Sequence, residues 1–531
     1  MDTELQNGKN MVVMKAGPKF DKNCKRLLLF FGIAVAVCVV LIFARNNYIP
    51  AWIRWNEKVV TVYGDESALQ DESNGESSDS ASRVMVKLWK KKLEVTNSSG
   101  ETTFVSKKDF KVQDVLVTDI DRDGDREMIV LLWKHGRYGM HKPFWVEKDE
   151  KNYSQHVFIY DVDEAGNVSE KWCASDMGTV AGRIRLMDKN DSIFMMEDKD
   201  KNCTLWMWDS WGVKTVDSKV SVVAFGDNLI HEPIYEYARN EESGSFDFLY
   251  EPFLDEIQSA DIAALNAETV LVDSDESVGG YPSFGSPIEV GEAIKNAGFD
   301  VASCANNHVL DRGIQGIDTT VKFYKDAGIT CVGIQNSKDT EYRPYELISR
   351  NGMRIALFSY TYGTNAGDIS EDYPNVVHYL PKATMSVDEW EAKEKDDGED
   401  GGTINNREKQ LISDIKSARK DADFVIVFAH WGDEYNKEVT PSQEHFAELF
   451  AEGGADVVIG THPHVVQKTE MLDRPDGGKM LVYYSLGNFR ADQAQSKETM
   501  AGAEASFTIA HTYDGVELLD YETKEINAYW K

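Results

Sequence analysis

At 531 residues, 42% hydrophobic and 11% aromatic, the chain has material for more than one domain, and most of it is expected to fold. A formal net charge of −33 excludes binding nucleic acid through its phosphates and describes a self-repelling body. The six cysteines show no CxxC or other zinc-type spacing, which excludes a zinc ribbon or finger.

Residues 27–44 are an uninterrupted run of apolar and small residues. At ~1.5 Å per residue such a helix is just long enough to cross a bilayer core. Lys9, Lys15, Lys19, Lys22, Lys25 and Arg26 precede it, whereas Arg45, Arg54 and Lys58 are all that follow closely. That asymmetry predicts a cytoplasmic tail over 1–26, a single-pass transmembrane helix, and a main body outside the cytoplasm. No small-x-small cleavage site follows Ala44, so an uncleaved anchor is expected rather than a signal peptide. A linker over 45–82 comes next; within it 66–82, rich in Ser, Asp, Glu and Gly, has almost nothing to bury and reads as a flexible tether.

Residues 83–219 alternate short apolar runs with turn clusters and read as a mainly β domain. Asp119, Asp121, Asp123, Asp125 and Glu127 stand at alternate positions, and Gly124 allows a sharp turn, an oxygen-rich pattern suited to calcium. An EF-hand needs glutamate at the twelfth position, where Val130 stands. The short motif is similar instead to the calcium loops of integrin-type FG-GAP or VCBS repeats. An acidic hairpin turn without an ion is the other reading, and both stay open. The Trp206, Trp208 and Trp211 run is expected in the domain core. Cys173 and Cys203 could pair in an oxidising compartment; Cys304 and Cys331 are expected as buried thiols.

From residue 220 to 531, strand-like runs alternate with helix-like segments, the pattern of an α/β layered domain. Strands are expected at 220–225, 262–268, 299–305, 329–332, 354–360, 424–429 and 456–460, and helices at 252–259, 287–297, 315–327 and 407–420. Residues 387–402 are strongly acidic and are expected to form a surface insertion. The strand ends share one trait: Asp227, Glu268, Asn307, His308, His430, His462 and His464 lie at or just beyond them. Together they offer carboxylates, an amide oxygen and imidazoles, the ligand mixture of a two-metal hydrolytic centre. Pro463 fixes the backbone between His462 and His464, and in an extended segment both would point to one side. Glu268 has two oxygens with which to bridge two divalent ions. His308 is expected to give a proton to a leaving group, with Asp311 orienting its ring or, equally, capping a helix. His231, four residues after Asp227, could join the site or be a satisfied surface histidine, and the second is expected.

Several stretches in order resemble the CapA family of capsule, or poly-γ-glutamate, synthesis proteins. They are Gly226-Asp227-Asn228, Asn266-Ala267-Glu268, Asn306-Asn307-His308 with Asp311, His430-Trp431-Gly432-Asp433-Glu434, His462-Pro463-His464 and Ser485-Leu486-Gly487-Asn488-Phe489. That family is similar in fold to calcineurin-like metallophosphoesterases. The resemblance implies an α/β layered sandwich over 220–531, with Asp227, Glu268, Asn307, His430, His462 and His464 as metal ligands and His308 as proton donor. The phosphoesterase pattern places a histidine where Leu229 stands and commonly an aspartate where Glu268 stands. The resemblance also implies a role in capsule assembly or export, with an anionic capsule polymer or other capsule synthesis components as partners. A general phosphatase or phosphodiesterase and a non-enzymatic polymer-binding scaffold are the competing functions.

Overall fold

The computed structural model describes residues 30–31, 33–38, 40–41, 45–64, 83–175, 177–187, 190–381 and 406–531. The expected cytoplasmic tail, the tether at 66–82, the acidic insertion at 387–402 and part of the expected anchor lie outside the described residues. Among the described residues no helix is long and apolar enough to cross a membrane. The chain divides into two compact units between Ile184 and Arg185.

The first unit is built of strands. Lys58–Tyr63, expected as linker, instead pairs antiparallel with Val84–Trp89 and opens a four-stranded sheet that runs on through Lys92–Thr96 and Thr102–Val105. A second sheet comprises Lys111–Thr118, Arg126–His135, Tyr153–Val162 and Val168–Cys173. Val86, Leu88 and Val95 of the first sheet share one core with Val130, Leu132 and Phe158 of the second. Alternate residues of each strand supply that core, as a period of two requires.

The boundary falls within the first strand of a four-stranded meander that runs from Arg183–Met187 to Gly212–Val216. The tryptophan run falls here and corrects the core expectation: Leu205 is buried, but Trp211 is 83% exposed. Ser210, at φ 56°, turns the chain just before Trp211 and carries it off the strand. Two large sheets follow. In one, Lys219–Asn228, Ile262–Ala267, Val301–Ser303 and Thr330–Val332 run parallel, and Ala501–Thr512 and Gly515–Asn527 extend the edge beyond Lys219–Asn228 antiparallel. In the other, Met353–Thr361, Phe424–His430, Val457–Thr461 and Lys479–Tyr483 run parallel between two antiparallel edge strands.

The sheets face each other. Val222, Ala224 and Ile262 pack into a common core with Ile355, Leu357, Ile426 and Ile459. The alternate residues Val223, Phe225 and Leu265 point outward under Glu232–Glu241, Ile288–Ala297 and Gly313–Ala327. On the far side Phe358, Val425 and Val427 lie under Asn406–Asp421 and Pro441–Gly453. The result is helix, sheet, sheet, helix. Strands buried on both faces must be apolar at every position, which is why they are legible as unbroken runs.

Candidate metal centre

Parallel strands deliver their C-terminal residues to one edge of each sheet, where ligands of open α/β sheets gather. Asp227 and Asn228 end one strand, Glu268 follows the next, and Asn307 and His308 follow the third. From the facing sheet, His430 ends a strand, and His462 and His464 follow Val457–Thr461. All seven side chains named from the sequence are buried.

They meet in two overlapping groups. Asp227, Glu268 and His464 place ligand atoms within 4.8 Å of one another, as do Glu268, His430 and His462. Glu268 belongs to both. The His430 Nε2 lies 3.0 Å from the Asn307 Oδ1 and 3.6 Å from the Glu268 Oε1. Its Nδ1 lies 3.0 Å from the Thr461 hydroxyl, so with the ring proton given to Thr461, Nε2 is left as an acceptor facing two other acceptors. Asp227 accepts from the Asn266 amide at 2.8 Å and from the His462 backbone N–H at 3.2 Å, and its Oδ2 lies 3.0 Å from the His464 Nδ1.

The electrostatics are uneven. Burial pushes the Asp227 carboxyl up, but the hydrogen bond and charge of His464, with Asn266, outweigh it and leave it below the usual range. Burial, then the charge of Asp227, holds the Glu268 carboxyl well above its usual range. Burial and the neighbouring imidazoles keep His430 neutral, and burial pushes His462 down to about 3. Both Glu268 oxygens and the His462 Nδ1 are buried without a hydrogen-bond partner. Two unpartnered oxygens on a buried Glu268, facing neutral imidazoles, form the arrangement that a divalent cation would complete. The donor set fits divalent ions of borderline hardness: carboxylate, amide and neutral imidazole.

His308 stands apart from these groups. Its Nδ1 is 2.7 Å from the Asp311 Oδ2, which also accepts the Phe284 N–H at 2.7 Å. Asp311 thus orients the ring and does not cap the following helix, whose N-cap is Arg312 without a side-chain bond. His308 lines an open cleft of about 890 Å³ with His231, Tyr281, Asn365, Glu434, Tyr435 and Asp492. His231 is therefore half-buried in the cleft wall rather than on the surface; burial pushes its imidazole down to about 4, and its Nδ1 accepts the Asp492 N–H at 3.2 Å.

One expectation about local geometry is corrected. The backbone at His462-Pro463-His464 is not extended: His462 has φ 100° and His464 φ 56°. Such conformations cost a non-glycine residue about 1–3 kcal/mol and persist where the surroundings over-determine them, here through the His462 N–H to Asp227. Leu229, standing where the phosphoesterase pattern has histidine, packs with Phe284 and Ala491. Glu434, which closes the His430-Trp431-Gly432-Asp433-Glu434 stretch, forms a third group with His462 and His464. Its signal in the sequence was its place four residues beyond His430. Thr461 and Asn266, which hold ligands by hydrogen bonds, lie beside named residues and carry no signal of their own.

In the first unit Asp119, Asp121 and Glu127 come together, whereas Asp125 is exposed and outside the group. The Lys171 ammonium sits among them, 2.6 Å from Asp121, 3.0 Å from Glu127, 2.9 Å from Asp161 and 3.6 Å from Asp123. Cys38, Cys173, Cys304 and Cys331 are free thiols, so Cys173 and Cys203 are not paired. Cys304 is buried as expected; Cys331 is half-buried, its Sγ 3.5 Å from that of Cys304.

A family model described as "Bacterial capsule synthesis protein PGA_cap" matches residues 221–493. The chain is 28% identical over 282 residues to the "Capsule biosynthesis protein CapA" of Bacillus anthracis, covering 52% of this chain and 57% of that protein. It is 27% identical over 207 residues to the "PGA biosynthesis protein CapA" of Bacillus subtilis (strain 168), covering 39% and 46%. The chain thus spans about half the length of the curated relatives it matches. The solved calcineurin-like phosphoesterase YfkN of Bacillus subtilis aligns at 15% identity and a TM-score of 0.31, over 59% of this chain and 91% of that one, a likeness too slight to argue from.

Proposed function

Because the chain belongs to the bacterial capsule synthesis protein PGA_cap family, we propose that it serves capsule or poly-γ-glutamate assembly or export through a metal-dependent hydrolase-type site. The observation that carries this reading is Glu268, wholly buried with both oxygens unpartnered between His430 and His464. Asp227, Glu268 and His464 would hold one divalent ion, and Glu268, Asn307, His430 and His462 a second. When bound, such ions polarise the scissile group and lower the pKa of water.

The chain's own residues do the rest. Asp311 fixes the His308 ring by its Nδ1, leaving Nε2 to carry a proton to the leaving group. Thr461 and Asn266 hold His430 and Asp227 in place, so the ligands are oriented before anything binds. Anchoring by residues 27–44, with the body outside the cytoplasm, is part of the proposal; the apolar run and the lysines before it support it.

Replacing His308 tests the reading. His308→Ala should lower hydrolytic turnover by about 10²–10⁴-fold, with the content of bound divalent ion unchanged. The assay panel holds γ-linked glutamate oligomers and phosphate esters. Turnover unaffected by the substitution would remove the catalytic role, and robust turnover of phosphate esters alone would favour a general phosphatase.

A further inference from the structure

The first unit has two ends of opposite charge. One carries the loop of Asp119, Asp121, Asp123, Asp125 and Glu127. At the other, three turns come together, over 90–91, 106–110 and 136–152. The Val112 N–H donates to the Lys91 carbonyl at 2.9 Å and the Lys107 ammonium to the Met140 sulfur at 2.8 Å, which joins the three. Lys90, Lys91, Lys108, Lys142, Lys148 and Lys151 are exposed there, against exposed Glu57, Asp109, Glu147 and Glu150. Two further carboxylates are turned away from solvent. Asp114 meets Lys58 at 2.6 Å, and Asp149 accepts the Arg137 and Glu150 N–H groups at 2.8 and 2.7 Å. On a chain of net charge −33, this end is basic.

Two observations besides charge point to what it meets. Phe144 is 93% exposed, Trp145 70% and Trp89 51%, all on this end. Bare aromatic rings among lysines are the composition of a membrane–water interface. The chain also enters the unit here. Just before Lys58–Tyr63, the Asn56 N–H donates to the Gln113 carbonyl at 3.0 Å, and the Lys91 ammonium lies 3.8 Å from the centre of the Trp55 ring. Only residues 45–57 separate the apolar run from that strand, a reach of about 45 Å when fully extended. An anchored chain therefore brings the basic end to the bilayer first.

Resting on the anchoring part of the reading above, we propose that this end of the first unit docks on an anionic phospholipid surface, with Phe144 and Trp145 entering the headgroup region. The lysines pair with lipid phosphates, and the rings bury at the boundary of headgroups and acyl chains. An acidic body is otherwise pushed away from such a surface, because repulsion within about 8 Å is only partly screened at physiological salt. The basic end reverses the sign where the chain meets lipid.

The test is tryptophan fluorescence of the full chain reconstituted in vesicles of acyl-brominated phosphatidylcholine, alone or mixed with phosphatidylglycerol. Bromine quenches only rings that enter the bilayer, and wild-type emission minus that of Trp145→Phe isolates Trp145. Against unbrominated controls, that difference should fall by about half or more on the anionic vesicles and little on the neutral ones. Salt at about 1 M, where the Debye length is ~3 Å, should restore it without any substitution. Lys142→Glu with Lys148→Glu and Lys151→Glu should restore it as well. Trp145 left unquenched on anionic vesicles, or quenched equally on both lipids, overturns the proposal. So does a Trp145 signal that responds to soluble poly-γ-glutamate and not to lipid, which would make this end a polyanion site. Flotation after a wash in the same salt separates the two readings. A chain that stays with the vesicles while Trp145 is unquenched defeats only this proposal. A chain that washes off defeats the anchoring, and Trp145 quenched before that wash still upholds the docking surface.

Discussion

Glu268 and His378 present a related problem at the scale of a single side chain: a buried titratable group with at least one polar atom left without a hydrogen bond. The chemistry of the candidate site was legible at this scale because histidine is unusual at the end of an apolar run, and three of them marked the spot. What could not be read was conformation. The left-handed backbone at His462 and His464 follows from Asp227, over two hundred residues away, and no local pattern encodes it. His378 lies outside the metal centre and yields a prediction about pH. It is 3% exposed, its Nδ1 has no partner, and burial pushes its imidazole down to about 3. Unfolded, the same ring titrates near about 6.5, so the unfolded chain binds the extra proton first. His378 therefore costs nothing above that pH, and stability falls as the pH drops from there toward 3. Urea unfolding should show the gap between wild type and His378→Gln shift against the wild type by about 1–2 kcal/mol between pH 6.5 and 5. A gap independent of pH would mean that the buried ring is already protonated or readily hydrated.

At the scale of elements, strands covered on both faces announced themselves, but others did not. Gly515–Asn527 carries mostly exposed residues, so its strand character comes from pairing with Ala501–Thr512, and no apolar run betrays it. The helix Pro441–Gly453 carries its signal at its start, where Thr440 and Gln443 form a reciprocal capping box. In the acidic loop of the first unit the carboxylates also have a cation of the chain's own within reach. Carboxylates at alternate positions suit calcium, yet a lysine from a different strand, Val168–Cys173, reaches Asp121, Glu127 and Asp161. Burial pushes Glu127 up to about 7, opposed by the Ile120 N–H and by Lys171. Lys171→Met should destabilise the chain by about 1–3 kcal/mol in calcium-free buffer, and added calcium should restore its melting temperature while leaving wild type unmoved. An equal calcium response in both proteins would show that the ammonium does not take the ion's place.

For the whole molecule, family membership and the two-sheet architecture concern the same part of the chain, because the family match begins and ends within the second unit. The sandwich brings two sheet edges together, so Asp227, Glu268 and Asn307 from one meet His430, His462 and His464 from the other. Neither sheet alone holds a complete ligand set. That division explains why the site residues could be named from sequence but their pairing could not: it depends on how two sheets stack, which is set by Val222, Ala224, Ile355 and Ile426 in the shared core. The central claim is that these residues jointly hold divalent cations, and elemental analysis of the purified full chain after exhaustive dialysis tests it most directly. Wild type should retain a stoichiometric divalent ion, and His462→Ala with His464→Ala should lose it while its circular dichroism is preserved. A wild-type chain without bound ion, or a double variant that keeps the wild-type content, would contradict the account.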